Sequence, residues 1–460
     1  MKKLLLLALV IPFAATAQTD EKADSAFIKS ISDNIFISRS SYYNLYDLTK
    51  HVGGRLAGSP QMVKAEQWGY NAMKAAGADN VVLQECMVPH WVRGGKDLAS
   101  VSYASNGQTV TVPVNVFAIG NSVGTGAKGV EAQVMRVNNF DELEKRKNEV
   151  KGKIVFYNVP FEDEFIQTFR AYGKNVVYRG IGASRAAKYG AVAVMVRSMT
   201  NAMDNNPHTG ALRYLDSLPK IPAVAVGVRD VEKLDTLFDN GVNLKAQLFT
   251  WGQFLPDTTG HNVIGELKGS TYPDQIITVG GHLDSWDVNE GAHDDGTGCV
   301  QTIEILRAFK ALGYQPKHTI RFVLFANEEN GGRGGEKYAE EAKAKNEQHI
   351  FALESDAGGF TPRGFGFTVK PESWAKLNAW KHLFEPYGGS TFTDGGDGAD
   401  IDPLRAQFKT PVAGLNPDNQ RYFDVHHAVT DVFEAVSIRE MKLGAINMAA
   451  LLYLVDKYGL

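Results

Sequence analysis

Two short segments of this 460-residue chain concentrate metal-binding chemistry. Gly281-His282-Leu283-Asp284-Ser285-Trp286-Asp287 and Ala292-His293-Asp294-Asp295-Gly296-Thr297-Gly298 are dense in imidazole and carboxylate donors. Donor sets of this kind bind divalent cations, and a cation beside a cleft suggests metal-assisted chemistry. Further acid or histidine clusters occur at Asn327-Glu328-Glu329, at Asp356-Ala357-Gly358-Gly359 and at Tyr422-Phe423-Asp424-Val425-His426-His427, the last followed by Asp431. One such cluster alone is most simply a solvated loop. Several in succession at element ends call for a common site.

The elements that must position them are legible. Gln275 to Val279 reads as a strand that feeds the first cluster, and a helix-like run begins near Thr297. Thr319 to Ala326 and His349 to Ser355 read as buried strands that end at Asn327-Glu328-Glu329 and at Asp356. In a parallel sheet the carboxyl ends of the strands lie along one edge, so loops that follow them converge. Val300, Ile303, Leu306 and Phe309 recur at helical spacing, which predicts that Thr297 to Leu312 packs on that sheet.

The motif set His282 to Val288, Asp294-Asp295-Gly296, Glu328-Glu329, Glu354 to Gly358, Gly395 to Ile401 and Tyr422 to His427 resembles the di-zinc exopeptidases, the family that contains plasma glutamate carboxypeptidase and bacterial aminopeptidases. The resemblance is strong from about Gly260 onward and weaker in the middle of the chain. It implies an α/β fold: a mixed, mostly parallel sheet flanked by helices, with an inserted β-rich protease-associated domain. It further implies two zinc ions per chain. His282 and Asp356 would hold one, Glu329 and His427 the other, and Asp294 would bridge them. The reaction implied is hydrolysis of dipeptides or short peptides by a metal-bridging hydroxide, with Glu328 as general base. Asp284 would accept the second N–H of His282 and fix its tautomer. Asp295 would support the bridging residue through a cis peptide between Asp294 and Asp295. His427, with an acid four residues later at Asp431, is the expected ligand of the His426-His427 pair. His426 stands where several relatives carry an oxyanion-stabilising tyrosine, and it either takes that role or lines the pocket. Asp400 either accepts a substrate's α-amino group or braces its loop.

Other readings of the same residues are a broad aminopeptidase on longer peptides, a non-catalytic binding protein on the same fold, and a single-zinc transferase. The binding protein is disfavoured because all five ligand positions and Glu328 are present, and the transferase because of the bridging arrangement and the inserted domain. His293 reads as structural or pocket-lining, and His51, His90, His208, His261, His318, His349 and His382 receive no role. Gly124 to Gly129 spells a dinucleotide fingerprint, but a strand-like run, Val130 to Val137, stands where a helix is required. No H-E-x-x-H zinc helix occurs, and no serine nucleophile elbow is expected. Asp394, Asp397, Asp400 and Asp402 do not have the spacing of a calcium loop.

Composition places these motifs in an ordinary globular protein. A formal charge of −4 argues against nucleic acid as the main partner, and 44% hydrophobic residues suffice for a core. Lys2-Lys3, the apolar run Leu4 to Phe13 and Ala15-Thr16-Ala17 read as a cleavable secretory signal over residues 1–17, which predicts a secreted or periplasmic protein without a membrane span. Residues 18–111 would open the catalytic domain, residues 112–250 would form the insert, and residues 251–460 would carry the metal site. The insert is expected to shape access or form a dimer surface and to carry no chemistry. Relatives suggest a homodimer. Cys86 and Cys299 are expected to be buried free thiols.

Overall fold

The computed structural model describes residues 12–396 and 398–460. The charged start and most of the apolar run of the expected signal lie outside the described residues, as does Asp397. No helix among the described residues is long and apolar enough to cross a membrane.

Two eight-stranded sheets organise the chain. In the first, Asn80–Val92 lies at one edge, followed by Gln253–Leu267, His318–Phe325, Tyr272–His282, Gln348–Glu354, Val412–Pro417, Pro362–Thr368 and Thr391–Asp394. The four central strands, from His318–Phe325 to Val412–Pro417, run parallel. The long paired strands Asn80–Val92 and Gln253–Leu267 are antiparallel on one side, and Pro362–Thr368 is antiparallel on the other. The sheet is therefore mixed, as expected.

Both faces are covered, which is why its central strands read as continuous apolar runs. Phe322 and Leu324 pack into the larger core, whereas Val323 and Phe325 point into the opposite cluster. The larger core takes in the helices Thr297–Ala311 and Ile438–Tyr458. Ile446, Leu451 and Leu454 of the last helix are buried there, and Met441 is buried in a neighbouring cluster. Ser437 caps that helix by accepting from the Glu440 N–H. Cys86 and Cys299 are both buried and free.

The second sheet contains, in order, Gln108–Val114, Leu98–Ser105, Lys245–Phe249, Val130–Val137, Ile154–Tyr157, Ala193–Arg197, Ala223–Val226 and Val116–Ala118. Leu98–Ser105 pairs with both Gln108–Val114 and Lys245–Phe249, so this sheet draws in residues ahead of position 112. Its helix Thr168–Ala187 shows little apolar periodicity. The reason is physical: the buried stripe carries Asn175 and Arg179 beside Ala171 and Ala183, so half of its inward face is polar. An apolar-periodicity reading does not register such a helix.

A polar cluster on the first sheet gives a pH-dependent prediction. Arg321 Nη1 lies 2.8 Å from Glu347, and His349 Nε2 lies 3.1 Å from the same carboxylate. Burial raises the Glu347 pKa, but His349 and Arg321 outweigh it and hold the carboxyl at about 2. A depressed folded-state pKa stabilises the fold fully above the ordinary value of 4.5, and that contribution is lost as pH falls toward about 2. Glu347→Gln should cost about 3 kcal/mol at pH 7. In denaturant titrations the deficit relative to wild type should shrink as pH drops through that window; a pH-independent deficit would contradict the assignment.

Candidate metal centre

The four parallel strands end on one edge, and the predicted ligands collect there. His282 is the last residue of Tyr272–His282. Its N–H donates to Asp295 Oδ2 at 3.0 Å, and its Nδ1 faces the Asp284 carbonyl at 3.0 Å. A carbonyl can only accept, so Nδ1 carries the proton and the Nε2 lone pair points inward. There it meets Asp294 Oδ1 at 3.1 Å and Asp356 Oδ1 at 3.4 Å. The partner atom on Asp284 differs from the expectation. Its carboxylate is 3.7 Å from Nδ1 and instead accepts the backbone N–H groups of Glu328, at 2.9 Å, and Glu329, at 3.3 Å. Asp284 thereby ties the loop that bears the candidate base to the segment that follows His282.

The second half mirrors the first. His427 Nε2 lies 3.2 Å from Asp294 Oδ2 and 3.1 Å from Glu329 Oε2, while its Nδ1 faces the Thr209 carbonyl at 3.4 Å. One carboxylate oxygen of Asp294 therefore serves each histidine. On both sides an imidazole Nε2 confronts carboxylate oxygens, and Asp294 Oδ2 and Glu329 Oε1 are buried without hydrogen bonds. Acceptors facing acceptors in a buried space repel one another unless a cation or extra protons lie between them. The N/O donor set fits zinc on each side.

Two sets of close donors stand out, His282-Asp294-Asp356 and Asp294-His426-His427. The second holds His426 where Glu329 was expected. Glu329 is the better ligand on charge and on its 3.1 Å approach to His427, since His426 Nε2 stays 3.8 Å from Asp294. His426 is stacked on His427 with ring centroids 3.5 Å apart.

The titration pattern has the same cause. Burial would raise Asp294, but the adjacent imidazoles of His282 and His427 hold it well below the usual carboxylate range. Burial lowers His282, yet Asp356 and Asp294 outweigh it and keep the imidazole well above its usual value. The same balance, with Glu329 and Asp294 against burial, brings His427 to about 9. Burial and the Asp294 charge push Glu329 up to about 7. Glu328 rises well above the carboxylate range; burial is the main cause, His282 opposes it, and Asp356 and Glu329 add to it. The centre carries surplus negative charge of the kind a divalent cation neutralises.

The supporting residues clamp the bridging segment. The Asp294–Asp295 peptide is cis, as expected. Asp295 Oδ1 accepts from Gly298 N–H at 3.0 Å. Asp431, which the sequence reading used only to choose between adjacent histidines, accepts the N–H groups of His293 at 2.7 Å and Asp294 at 3.1 Å. Arg55, fully buried, donates to the carbonyls of Glu290 and Gly291. Asp431→Ala should leave two buried donors unsatisfied, lowering stability by about 2–4 kcal/mol and zinc affinity by about 10–100-fold. Thermal denaturation and competitive chelation measure the two; an unchanged zinc affinity would remove the clamp role.

The second sheet's domain, expected to shape access to the cleft, reaches the centre. Thr209 N–H donates to the His427 carbonyl at 3.0 Å, and His208 Nδ1 faces the His426 carbonyl at 2.7 Å. Arg179 Nη1 lies 3.3 Å from both the Thr209 carbonyl and His427 Nδ1. Gly210, at φ +119°, permits this approach: a Cβ there would sit 2.6 Å from His427 Nδ1. Asn121 exchanges hydrogen bonds with Asn330, just after the Glu328-Glu329 pair. A Cβ on Gly120 would lie 1.8 Å from the Trp286 ring, so glycine lets that loop seat against the tryptophan. Residues on helices and turns of a separate sheet carry no local signal of this proximity.

The remaining candidates sort themselves. His293 stacks on Phe360 and accepts from Gly359 N–H, a structural role. His261, His318 and His349 pair with Glu66, Asp456 and Glu347, away from the centre. Asp400 is 1% exposed and both carboxyl oxygens lack hydrogen-bond partners; its N–H donates to Glu354. Gly120-Asn121-Ser122-Val123-Gly124 does spell G-x-S-x-G, which corrects the expectation that no such elbow occurs. Ser122 is fully buried, its Oγ between Ala223 N–H and the Val123 carbonyl, with no histidine on it, so it is no nucleophile.

Comparison with known proteins adds the following. Residues 262–452 match the sequence profile of Peptidase family M28. The chain is 36% identical over 415 residues to carboxypeptidase Q of Homo sapiens, covering 90% of this chain and 85% of that protein. It is 37% identical over 415 residues to carboxypeptidase Q of Xenopus laevis, with the same coverage of 90% and 85%. The crystal structure of a peptidase M28 precursor from Shewanella amazonensis SB2B is similar with a TM-score of 0.88 at 30% identity, over 95% of this chain and 97% of that one. BSAP, a zinc aminopeptidase from Bacillus subtilis, shares the fold at a TM-score of 0.63 and 19% identity, over 90% and 94% of the respective chains.

Proposed function

The chain belongs to peptidase family M28 and is a metallo-exopeptidase, and we propose that it is an exported enzyme that uses two zinc ions per chain to hydrolyse dipeptides or short peptides. The observation that carries this reading is the divided carboxylate of Asp294, with Oδ1 3.1 Å from His282 Nε2 and Oδ2 3.2 Å from His427 Nε2. His282 and Asp356 would hold one zinc, Glu329 and His427 the other, and Asp294 both. When bound, zinc polarises the scissile carbonyl and makes water more acidic.

The chain's own residues do the rest. Glu328 is half-buried, and its carboxylate has no hydrogen-bond partner among the described residues, so it is free to take a proton from the attacking water. Its raised affinity for protons suits a base that must also release that proton to the leaving amine. Asp284 holds the Glu328 and Glu329 N–H groups and so aims both side chains. The expected signal over residues 1–17 supports export. The close approach of Arg179, His208 and Thr209 to the two histidines supports short substrates, because the insert crowds the centre.

The test is metal analysis of the purified chain together with hydrolysis of a dipeptide panel before chelation, after chelation and after zinc is restored. About two zinc ions per chain, with activity lost and regained, is the expected result; a metal-free, inactive protein that zinc does not rescue would overturn the proposal. A tripeptide separates the aminopeptidase reading, since stepwise release of N-terminal residues at dipeptide-like rates would favour it. Asp400, with its unpartnered carboxyl, is the candidate for the substrate's α-amino group. Asp400→Asn should impair a free dipeptide more than its acetylated form; equal loss on both would leave Asp400 as a brace.

A further inference from the structure

Tyr172 and Arg179 lie on the helix Thr168–Ala187 of the inserted domain, and Arg179 Nη2 donates to the Tyr172 hydroxyl at 2.6 Å. Arg179 is 7% exposed and forms no ion pair among the described residues. Its Nη1 reaches the Thr209 carbonyl at 3.3 Å, while its Nε is buried without a partner. Arg55 is also buried without an ion pair, but its guanidinium donors all end on carbonyls. A buried guanidinium without a counter-ion is costly unless negative charge appears beside it at some stage.

The Tyr172 ring meets His426 edge-on, with centroids 5.2 Å apart, and stacks on Phe423 at 4.9 Å, so the phenol is fixed against the wall of the centre. Burial is the main reason the phenol holds its proton. Arg179 opposes this, and the charges of Glu328 and Asp294 add to it, which places the hydroxyl within electrostatic reach of both. Arg179 occupies a lone pair of the phenol oxygen, and no other partner for that hydroxyl exists among the described residues. The O–H is left as an undirected donor. His426, the position first considered for an oxyanion donor, instead turns Nε2 toward Asp294 Oδ2 at 3.8 Å and has its carbonyl held by His208.

We propose that Tyr172, positioned by Arg179, donates its hydroxyl hydrogen bond to the scissile carbonyl oxygen of the peptide as that oxygen becomes anionic. The inference rests on the exopeptidase reading and adds the inserted domain to the catalytic machinery. Water oxygen bonds to the carbonyl carbon, the C=O π pair moves to oxygen, and one water proton passes to Glu328. When the pair returns, the C–N bond breaks and the amine nitrogen takes the proton from Glu328. Tyr172 keeps its own proton throughout, and Arg179 shares the transient negative charge through it.

The experiment uses the full zinc-loaded chain and Tyr172→Phe, which keeps the ring and removes the donor. On a dipeptide, kcat should fall about 10²–10³-fold with KM within about threefold and zinc content unchanged. Binding of a phosphinic dipeptide analogue, a mimic of the tetrahedral species, should weaken at least about 100-fold by calorimetry, while binding of a free product amino acid should not change. A kcat within about threefold of wild type, or a loss confined to KM, would overturn the proposal. If Tyr172→Phe fails to retain zinc, Arg179→Lys carries the test: a kcat reduced at least about tenfold with zinc retained supports the role, and an unchanged kcat rejects it. Failure of the exopeptidase reading itself would be seen separately, as a wild-type chain that neither binds zinc nor cleaves any dipeptide.

Discussion

Glu328→Gln should reduce kcat about 10³-fold while zinc content and the unfolding midpoint remain those of wild type. Glu328 follows the strand His318–Phe325 across a two-residue turn, and its neighbour Glu329, not Glu328, contacts His427. Gln keeps the size and the backbone hydrogen bond from N–H to Asp284, which sits at 2.9 Å in the native chain. It cannot accept and release a proton near neutral pH. The expected signature is therefore a loss in kcat with little change in KM, because the interaction removed exists only along the reaction path. Loss of zinc in this variant would instead identify Glu328 as a ligand, and unchanged turnover would remove it from the reaction.

Asp294→Ala should be the most damaging single change at the centre, lowering turnover to background and bound zinc to well under the wild-type amount. The residue contributes one oxygen to each half, and it is 4% exposed. Its removal leaves Asp356 facing His282 Nε2 and Glu329 facing His427 Nε2 as the remaining carboxylate ligands among the described residues. Neither pair supplies the three protein ligands typical of a catalytic zinc. Metal analysis after gel filtration, compared with Asp400→Asn as a nearby carboxylate control, measures the effect. Retention of about two zinc ions per chain by Asp294→Ala would sink the bridging role. Adding zinc in excess should restore little activity, since the defect lies in the shared ligand and not in supply.

Much of this was readable without coordinates, for a local reason. His282 ends a strand, Glu329 and Asp356 follow strands and Asp294 precedes a helix, and a parallel sheet gathers such ends on one edge, whereas His427 follows the short helix Tyr422–Val425 and was singled out by the family resemblance. The strands themselves announce their burial through Val279, Phe322, Leu324 and Leu353, since both faces of the sheet are covered. Which oxygen of Asp284 meets His282 was not readable. The choice between carbonyl and carboxylate depends on side-chain rotation after the loop closes, and there the carboxylate is claimed by the Glu328 and Glu329 N–H groups. His426 was ambiguous for the same reason, and its stacking on His427 is a property of the folded turn.

The sequence by itself determined the strand-like runs, the clusters at their ends and the donor types, because periodicity and residue identity act over a few positions, and the sheet they build came with the family resemblance. Only the tertiary structure decided that a second sheet leans on the first, so that Thr209 touches His427, His208 touches His426 and Asn121 grips Asn330. These contacts join residues some two hundred positions apart through packing of two distinct cores. The helix that bears Tyr172 and Arg179 hides its inward face behind polar side chains whose partners exist only once both halves have met.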